Sequence, residues 1–245
     1  MVDATGFIAT KTKFHGAQMA SWYVQGASFN EADFSSAMLM AWTTDGMSYE
    51  GLYELAPEDM RAVSAQGARF ENCVLEECNL SGGNFSDATF LLTKFTEECI
   101  FNGGDFSNAM FDQTDFLEAS LSGSDMSNIR IDKCSFEDCN LTGAQLRSAM
   151  IRNTSFKGAN MRGVSFDRAL VDGADFTGTD LSTCNLTGAV LKKLVGTPPT
   201  LPQDYVIKSY QDENVDANGD TLRTSVYDIV ISENRYNDGL REKRD

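Results

Sequence analysis

The sequence predicts an all-β solenoid, a square coil of stacked parallel strands, on three observations: a five-residue period, its regrouping into twenty, and the side chains found in each slot. From Phe101 to Leu191 every fifth residue is large and apolar, in nineteen unbroken quintets that include Phe106, Phe111, Phe116, Leu121, Met126 and Ile131. Phe70, Leu75, Leu80, Phe85, Phe90 and Phe95 keep the same frame, with one extra residue before the next block. An earlier block runs Phe14, Met19, Val24, Phe29, Phe34, Leu39, Thr44 and Tyr49, which brings the count to 33 quintets.

A period of five fits neither a helix at 3.6 residues per turn nor a flat strand at 2, so the chain must turn a corner at every quintet. Glycine recurs where that corner falls, at Gly143, Gly158, Gly163, Gly173, Gly178 and Gly188, and a positive φ is cheap there. Four corners close a coil of twenty residues. Trp22 and Trp42 are twenty apart, and sorting the large residues by twenty collects Phe95, Phe116, Phe136, Phe156 and Phe176 on one face. A second face collects Ile131, Ile151 and Val171, β-branched residues suited to ladder positions. Two places before each large residue sits a small or slim one, such as Ala144, Ala149, Thr154 or Ala159. About eight coils at roughly 4.8 Å each make a rod on the order of 40 Å long.

These units resemble those of the pentapeptide-repeat family, which read alanine, aspartate or asparagine, leucine or phenylalanine, then two polar residues. Ala174-Asp175-Phe176-Thr177-Gly178 and Ala159-Asn160-Met161-Arg162-Gly163 carry the likeness, which extends over about residues 12 to 193. The resemblance implies a right-handed quadrilateral β-helix with no active site. The domain reading is then a lead-in over 1–11, a first β-helix block over 12–49, an insertion over 50–67, a main block over 68–194 and a C-terminal extension or cap over 195–245. In the insertion, Pro57-Glu58-Asp59 predicts the start of a short helix and Gly67 its stop. It is either a packed segment shielding a coil joint or a recognition loop.

Past Leu194 three of the four prolines fall in Thr197-Pro198-Pro199-Thr200-Leu201-Pro202. Beyond them Tyr205–Tyr210 and Ser225–Ile231 read as strands around a turn at Asn218-Gly219, a hairpin suited to covering the open last coil. Asn237 to Asp245 reads as mobile or partner-bound. Asn214, Asp216, Asn218 and Gly219 fit the opening places of a calcium loop, but the twelfth place is Ser225 where a bidentate glutamate is needed, so no metal and no cofactor is expected. Cys73, Cys78, Cys99, Cys134, Cys139 and Cys184 all occupy the small inward slot, which predicts buried, reduced thiols.

Catalysis is not expected. The single histidine, His15, removes most general-base, triad and zinc proposals, and the interior is filled with side chains. No run approaches 18 apolar residues and Met1-Val2-Asp3-Ala4-Thr5-Gly6 has no secretory-signal pattern, so the expected compartment is intracellular, the cytoplasm, with no transmembrane segment. Acids outnumber bases 36 to 20, a net charge of −16, which argues against direct binding of nucleic acid.

Two surfaces stand out instead. Residues 70 to 138 hold fourteen acids and three bases, whereas 139 to 193 hold four acids and seven bases. The twenty-residue period assigns Glu76, Glu77, Glu97, Asp115, Glu118, Glu137 and Asp138 to the phenylalanine face, either as a solvated surface or as a DNA-like potential for a basic groove. On the β-branched face the slot before the large residue holds Met110, Met150, Leu170 and Val190 with Arg130 between, and Leu91 and Leu92 lie on that face one coil below. That apolar stripe is either covered by the tail or is a partner contact.

The function expected is a non-enzymatic protein-binding scaffold. Its most specific version follows from likeness to the quinolone-resistance and topoisomerase-inhibitor branch of the family, in which an acidic rod occupies the DNA groove of a type II topoisomerase. The chain shares the acidity, the interrupting segment and the unit Phe136-Glu137-Asp138-Cys139-Asn140-Leu141, but its last coils are basic, its tail is longer and only one sizeable loop appears. The alternative is a structural component of a large assembly, such as a virion or a membrane-associated machine, docked by the apolar stripe and the tail. The partners are thus a topoisomerase, subunits of an assembly, or a second copy in a homodimer.

Overall fold

The corner that closes each quintet is made by one residue in the left-handed region. In the computed structural model, which describes residues 2–24, 26–40, 63–96, 99–215 and 221–232, positive φ recurs two places after the central residue of nearly every described repeat. Gly143 follows Leu141 at +70°, Lys133 follows Ile131 at +53° and Ser148 follows Leu146 at +55°. The Ala144 amide then donates to the Leu141 carbonyl at 2.9 Å and the chain sets off along the next face. Side chains other than glycine occupy the corner often, because it points outward and the repeat over-determines its geometry.

Between corners the strands are short: β1 (Val2–Asp3), β2 (Gln18–Ala20), β3 (Trp22–Tyr23), β4 (Met38–Met40), β5 (Arg69–Glu71), β6 (Val74–Glu76), β7 (Thr89–Leu91), β8 (Lys94–Thr96), β9 (Met110–Asp112), β10 (Arg130–Asp132), β11 (Met150–Arg152), β12 (Leu170–Asp172) and β13 (Val190–Leu194). Two longer ones, β14 (Tyr205–Val215) and β15 (Thr221–Ile231), follow. They form a two-stranded sheet β1-β3, a four-stranded sheet β2-β4-β6-β8 and a nine-stranded sheet β14-β15-β13-β12-β11-β10-β9-β7-β5. Rung pairs are parallel and in register, Ile131 against Ile151 and Val171 against Leu191. Across the one-residue insertion Phe90 pairs with Phe111.

Three boundaries differ from the sequence reading, the last of them because the coil runs on past Leu194, with Val195 bridging to Asp175 and Thr200 to Asp180. The lead-in is already a coil: β1 pairs with β3, and Ile8 bridges to Ser28. Its central slots hold Ala4 and Ala9, both buried, while the bulk moves to Phe7, whose ring lies 6.5 Å from Trp22 and 6.1 Å from Phe29. A search for large residues misses it because alanine stands at the centre. After the interruption the frame resumes at Val63, with Ala65 central: Ser64 bridges to Ser28, Arg69 to Asp33, and β6 pairs with β4. Val63 to Gly67 are therefore a coil face rather than the end of a helix. The helix expected from Pro57, the Trp42 slot, Thr44 and Tyr49 lie outside the described residues.

Inside, the phenylalanines stack. Phe95, Phe116, Phe136, Phe156 and Phe176 rise as one column with centroids 4.4, 4.6, 5.3 and 5.2 Å apart and planes within 12° of parallel. Below the β-branched residues a second column runs Phe14, Phe34, Phe70 and Phe90 at 4.9, 5.0 and 4.6 Å. At Phe111 the ring turns to 77° from Phe90, and the column continues as Ile131, Ile151 and Val171.

The small slot does more than leave room. Its Thr93 and Thr114 hydroxyls donate to the Phe70 and Phe90 carbonyls at 2.9 and 3.1 Å, and the Cys184 thiol to Met161 at 3.1 Å, so a polar side chain is satisfied inside an apolar tube. All six cysteines are free and buried, as expected. Burial is the largest influence on four of the thiols, pushed up to about 11 for Cys73 and about 12 for Cys134, Cys139 and Cys184.

At the far end β15 pairs antiparallel with β13, Leu191 opposite Ile229 and Leu194 opposite Tyr227. Val226, Tyr227 and Ile229 are buried, so the hairpin closes the last coil. A polar clasp holds it: the Lys193 amide donates to Asp228 at 2.8 Å, the Tyr210 hydroxyl donates to the same oxygen at 3.0 Å, and Lys193 Nζ lies 3.1 Å from Asp212. The turn at Asn218-Gly219 and the final residues, Asn237 to Asp245, lie outside the described residues.

Candidate functional site

Among the described residues the interior of the coil is filled, and the outer slots of each quintet face solvent. On the stacked-phenylalanine face the slot before the ring runs Val74, Lys94, Asp115, Ser135, Ser155 and Asp175, fixed by rung pairing. Glu76 ends β6 on this face, and Glu77, Glu118 and Asp138 make its corners at φ of +51°, +57° and +56°. Glu137 follows Phe136 and its Oε1 accepts a hydrogen bond from the Ser155 hydroxyl at 2.8 Å. Asp115, Glu118, Glu137 and Asp138 thus cluster on two successive rungs. Glu97 lies outside the described residues. The acidity does not continue unbroken: Lys94 stands one rung below Asp115, and Lys157 lies 3.5 Å from Asp175 one rung above. Exposed Leu117 interrupts the acids themselves.

On the next face the stripe is real and in register. Thr89, Met110, Arg130, Met150, Leu170 and Val190 lie opposite one another from β7 to β13. Met110 is 37% exposed, Met150 38%, Leu170 53% and Val190 47%, well above their buried neighbours Ala109, Ala149 and Ala169. Leu91 and Leu92 share the face but not the column: Leu91 is the register partner of Asp112, and Leu92 makes the corner at φ +52°. The column beyond the rings is charged instead, Asp112, Asp132, Arg152, Asp172 and Lys192 in turn. Between the two columns lies a shallow groove of about 360 Å³ lined by Met110, Arg130, Met150, Asp112, Asp132 and Arg152.

The hairpin does not fold over this stripe. Because β15 pairs edge to edge with β13, it lengthens the sheet and leaves Met110 to Val190 open among the described residues. It adds exposed apolar side chains of its own, Val206, Ile207, Tyr210 and Ile231. The sequence reading placed the two strands but not this edge; the two matched eleven-residue lengths were its signal.

Among the described residues no group of three His, Cys, Asp or Glu side chains is placed to hold a metal ion. Ser225 instead sits within β15, its hydroxyl accepting from Gln211 Nε2 at 2.8 Å. No helix among the described residues is long and apolar enough to cross a membrane.

Comparison with known families gives matches to two models of one repeat: a pentapeptide repeat region over residues 129–195, and pentapeptide repeats over 59–91 and 97–128. No curated protein matches by sequence. Among solved structures the chain is similar to full-length QnrB1, a plasmid-mediated fluoroquinolone resistance protein, at 16% identity and a TM-score of 0.50, covering 80% of this chain and 92% of that one. HetL, a protein involved in heterocyst differentiation regulation from the cyanobacterium Nostoc, matches at 15% identity and a TM-score of 0.24, covering 82% and 90%. Rfr23 from the cyanobacterium Cyanothece matches at 17% identity and a TM-score of 0.30, covering 72% and 91%. At its identity the likeness to QnrB1 shows a shared fold.

Proposed function

The chain belongs to the pentapeptide-repeat family, and on that premise we propose that it is a non-enzymatic protein-binding rod, whose most specific action is DNA mimicry toward a type II topoisomerase. Among the described residues the tube is filled and its surface grooves are shallow, which supports shape and surface charge as its means of action. The observation that carries the reading is the acid cluster Asp115, Glu118, Glu137 and Asp138 on successive rungs of a stiff column, within a stretch holding fourteen acids and three bases. Carboxylates repeated at the rung spacing present a negative potential along a straight axis, which a groove evolved for phosphates attracts by the same Coulomb terms. The test is a gyrase supercoiling assay with micromolar protein. Inhibition or protection from quinolones that weakens in the Glu118→Lys, Glu137→Lys, Asp138→Lys triple variant supports the reading; no effect of the native chain sinks it.

A second reading rests on the open stripe. Exposed Met110, Met150, Leu170 and Val190 on one flat sheet suit a structural component docked side-on within a larger assembly. Met150→Lys with Leu170→Lys leaves the folded rod intact, since both side chains already face water, and releases it from its native complex. Retention of the same partners by that variant refutes this reading.

A further inference from the structure

We propose, resting on the side-on reading above, that the stripe seats an amphipathic α-helix of a partner protein: about 20 residues laid along the rod axis, N-terminus at the hairpin, with a glutamate and a lysine one turn apart near its C-terminus. The stripe is longer than the coil. Ile229 stands inward opposite Leu191, so Val230 faces outward beside Val190, and Val206 pairs with Val230 in turn. The outward column therefore runs from Met110 to Val190 and on through Val230 to exposed Val206. Its six steps of roughly 4.8 Å make about 29 Å, the length of a helix of about 20 residues. The column is also narrow, one side chain wide between buried Ala109, Ala149 and Ala169 and the charged column that begins at Asp112. Helical turns of about 5.4 Å keep near step with the rungs, so one apolar row of a helix follows one column of the sheet.

Backbone bonding selects a helix over an extended chain. From β9 to β13 the N–H and C=O groups are spent on the rung ladder, so a strand laid across them finds no partners, whereas a helix satisfies its own. Charge then sets the direction. The groove of about 360 Å³ at the Met110 end is walled by Met110 and Met150 and also receives Arg130, Arg152, Asp112 and Asp132. Neither guanidinium makes an ion pair among the described residues. Among those residues, too, Asp112 Oδ1 is buried without a hydrogen-bond partner. Arg130 stands one rung above Met110 and Asp112, and Arg152 one rung above that, both nearer the hairpin. An occupant must therefore bring a carboxylate to Arg130 and Arg152 and, one turn closer to the Met110 end, a cation to Asp112. In a helix a glutamate four places before a lysine is the favourable order and a lysine suits the last turn, which puts the C-terminus over Asp112. Past Met150 the groove continues as a hollow of about 160 Å³ bordered by Leu170, Val190 and Lys192, where the apolar row of the helix lies.

Fluorescence anisotropy with the full chain tests this, the probe being a stapled helical peptide of about 20 residues with one leucine row and that glutamate and lysine. The peptide saturates with a Kd on the order of 10 µM. Exchanging its glutamate and lysine weakens binding about tenfold, and a scramble without the leucine row does not bind. Arg130→Glu in the rod weakens the original peptide about tenfold, and replacing the peptide's glutamate by lysine restores it. Disulfide capture reads the direction: a cysteine at the peptide's C-terminus links to Met110→Cys and not to Val206→Cys, and one at its N-terminus does the reverse. The six native cysteines are buried and give little background. No saturable binding at about 100 µM, equal binding of the exchanged peptide, or N-terminal capture at Met110→Cys overturns the proposal. A Met150→Cys chain that oxidises to a homodimer gives the stripe to a second copy and overturns it as well. Where Met150→Lys with Leu170→Lys is released from the native complex but no helix binds the native chain, side-on docking stands and the helix falls; where that variant keeps its partners, side-on docking itself falls.

Discussion

Phe136→Ala tests the column that stiffens the rod. Phe136 is fully buried, stacked 4.6 Å from Phe116 and 5.3 Å from Phe156, with Phe111 tilted at 6.4 Å. Removing a buried ring costs about 3–5 kcal/mol in lost transfer energy and cavity. The two stacked pairs add about 0.5–1.5 kcal/mol each. Each rung of a solenoid touches only its neighbours, so no distant element can collapse into the void, and the cost falls at the upper end, about 5 kcal/mol. Phe136→Leu costs only about 1–2 kcal/mol, because leucine already fills the equivalent slot at Leu141 on the next face. Urea denaturation followed by circular dichroism measures both, with exposed Arg147→Ala as a control expected within about 0.5 kcal/mol of the native chain. A loss for Phe136→Ala below about 2 kcal/mol would refute the argument that the stacked rings are a continuous, locally supported core.

Four further outcomes follow from the same packing. The Tyr227 hydroxyl is buried with no hydrogen-bond partner among the described residues, so Tyr227→Phe raises stability by about 1 kcal/mol; a comparable loss in the urea midpoint would show that the hydroxyl has a partner. The thiols of Cys134, Cys139 and Cys184 are raised to about 12 by burial, so they keep their protons where the unfolded chain has lost them, and stability present below pH about 9 is lost as the pH rises toward 12. Ellman's reagent at pH 8 accordingly labels none of the six in the native state and all six in guanidinium, and rapid native labelling contradicts the inward slot assignment. Gly196 sits at φ +79° where an added Cβ meets Thr177 Oγ1 and Asp175 Oδ1, so Gly196→Ala costs about 2–3 kcal/mol by thermal melting, whereas Gly143→Ala, at φ +70° with nothing near, costs about 1.

How far the sequence reaches is clear from particular residues. Phe116, Phe136 and Phe156 announced their column because identical rings twenty apart can only be neighbours in a coil of twenty. The stripe from Met110 to Val190 was legible for the same reason, since any residue one place before the centre must point outward. Ala4, Ala9 and Ala65 hid their rungs, because a small central side chain leaves no apolar signal even though the backbone ladder is intact. Leu91 was placed on the correct face but aligns with Asp112, a distinction of two places within one quintet that only the ladder settles.

The periodic core needed nothing beyond the sequence, because each rung repeats the same local contacts and the pattern contains its own geometry. What the tertiary structure decided lies where periodicity ends. Whether the C-terminal strands cover the stripe or extend its sheet depends on a pairing between Leu191 and Ile229, far apart in the chain, and no local spacing encodes such a contact. That one pairing leaves the stripe open among the described residues and makes β14 the last strand of the sheet.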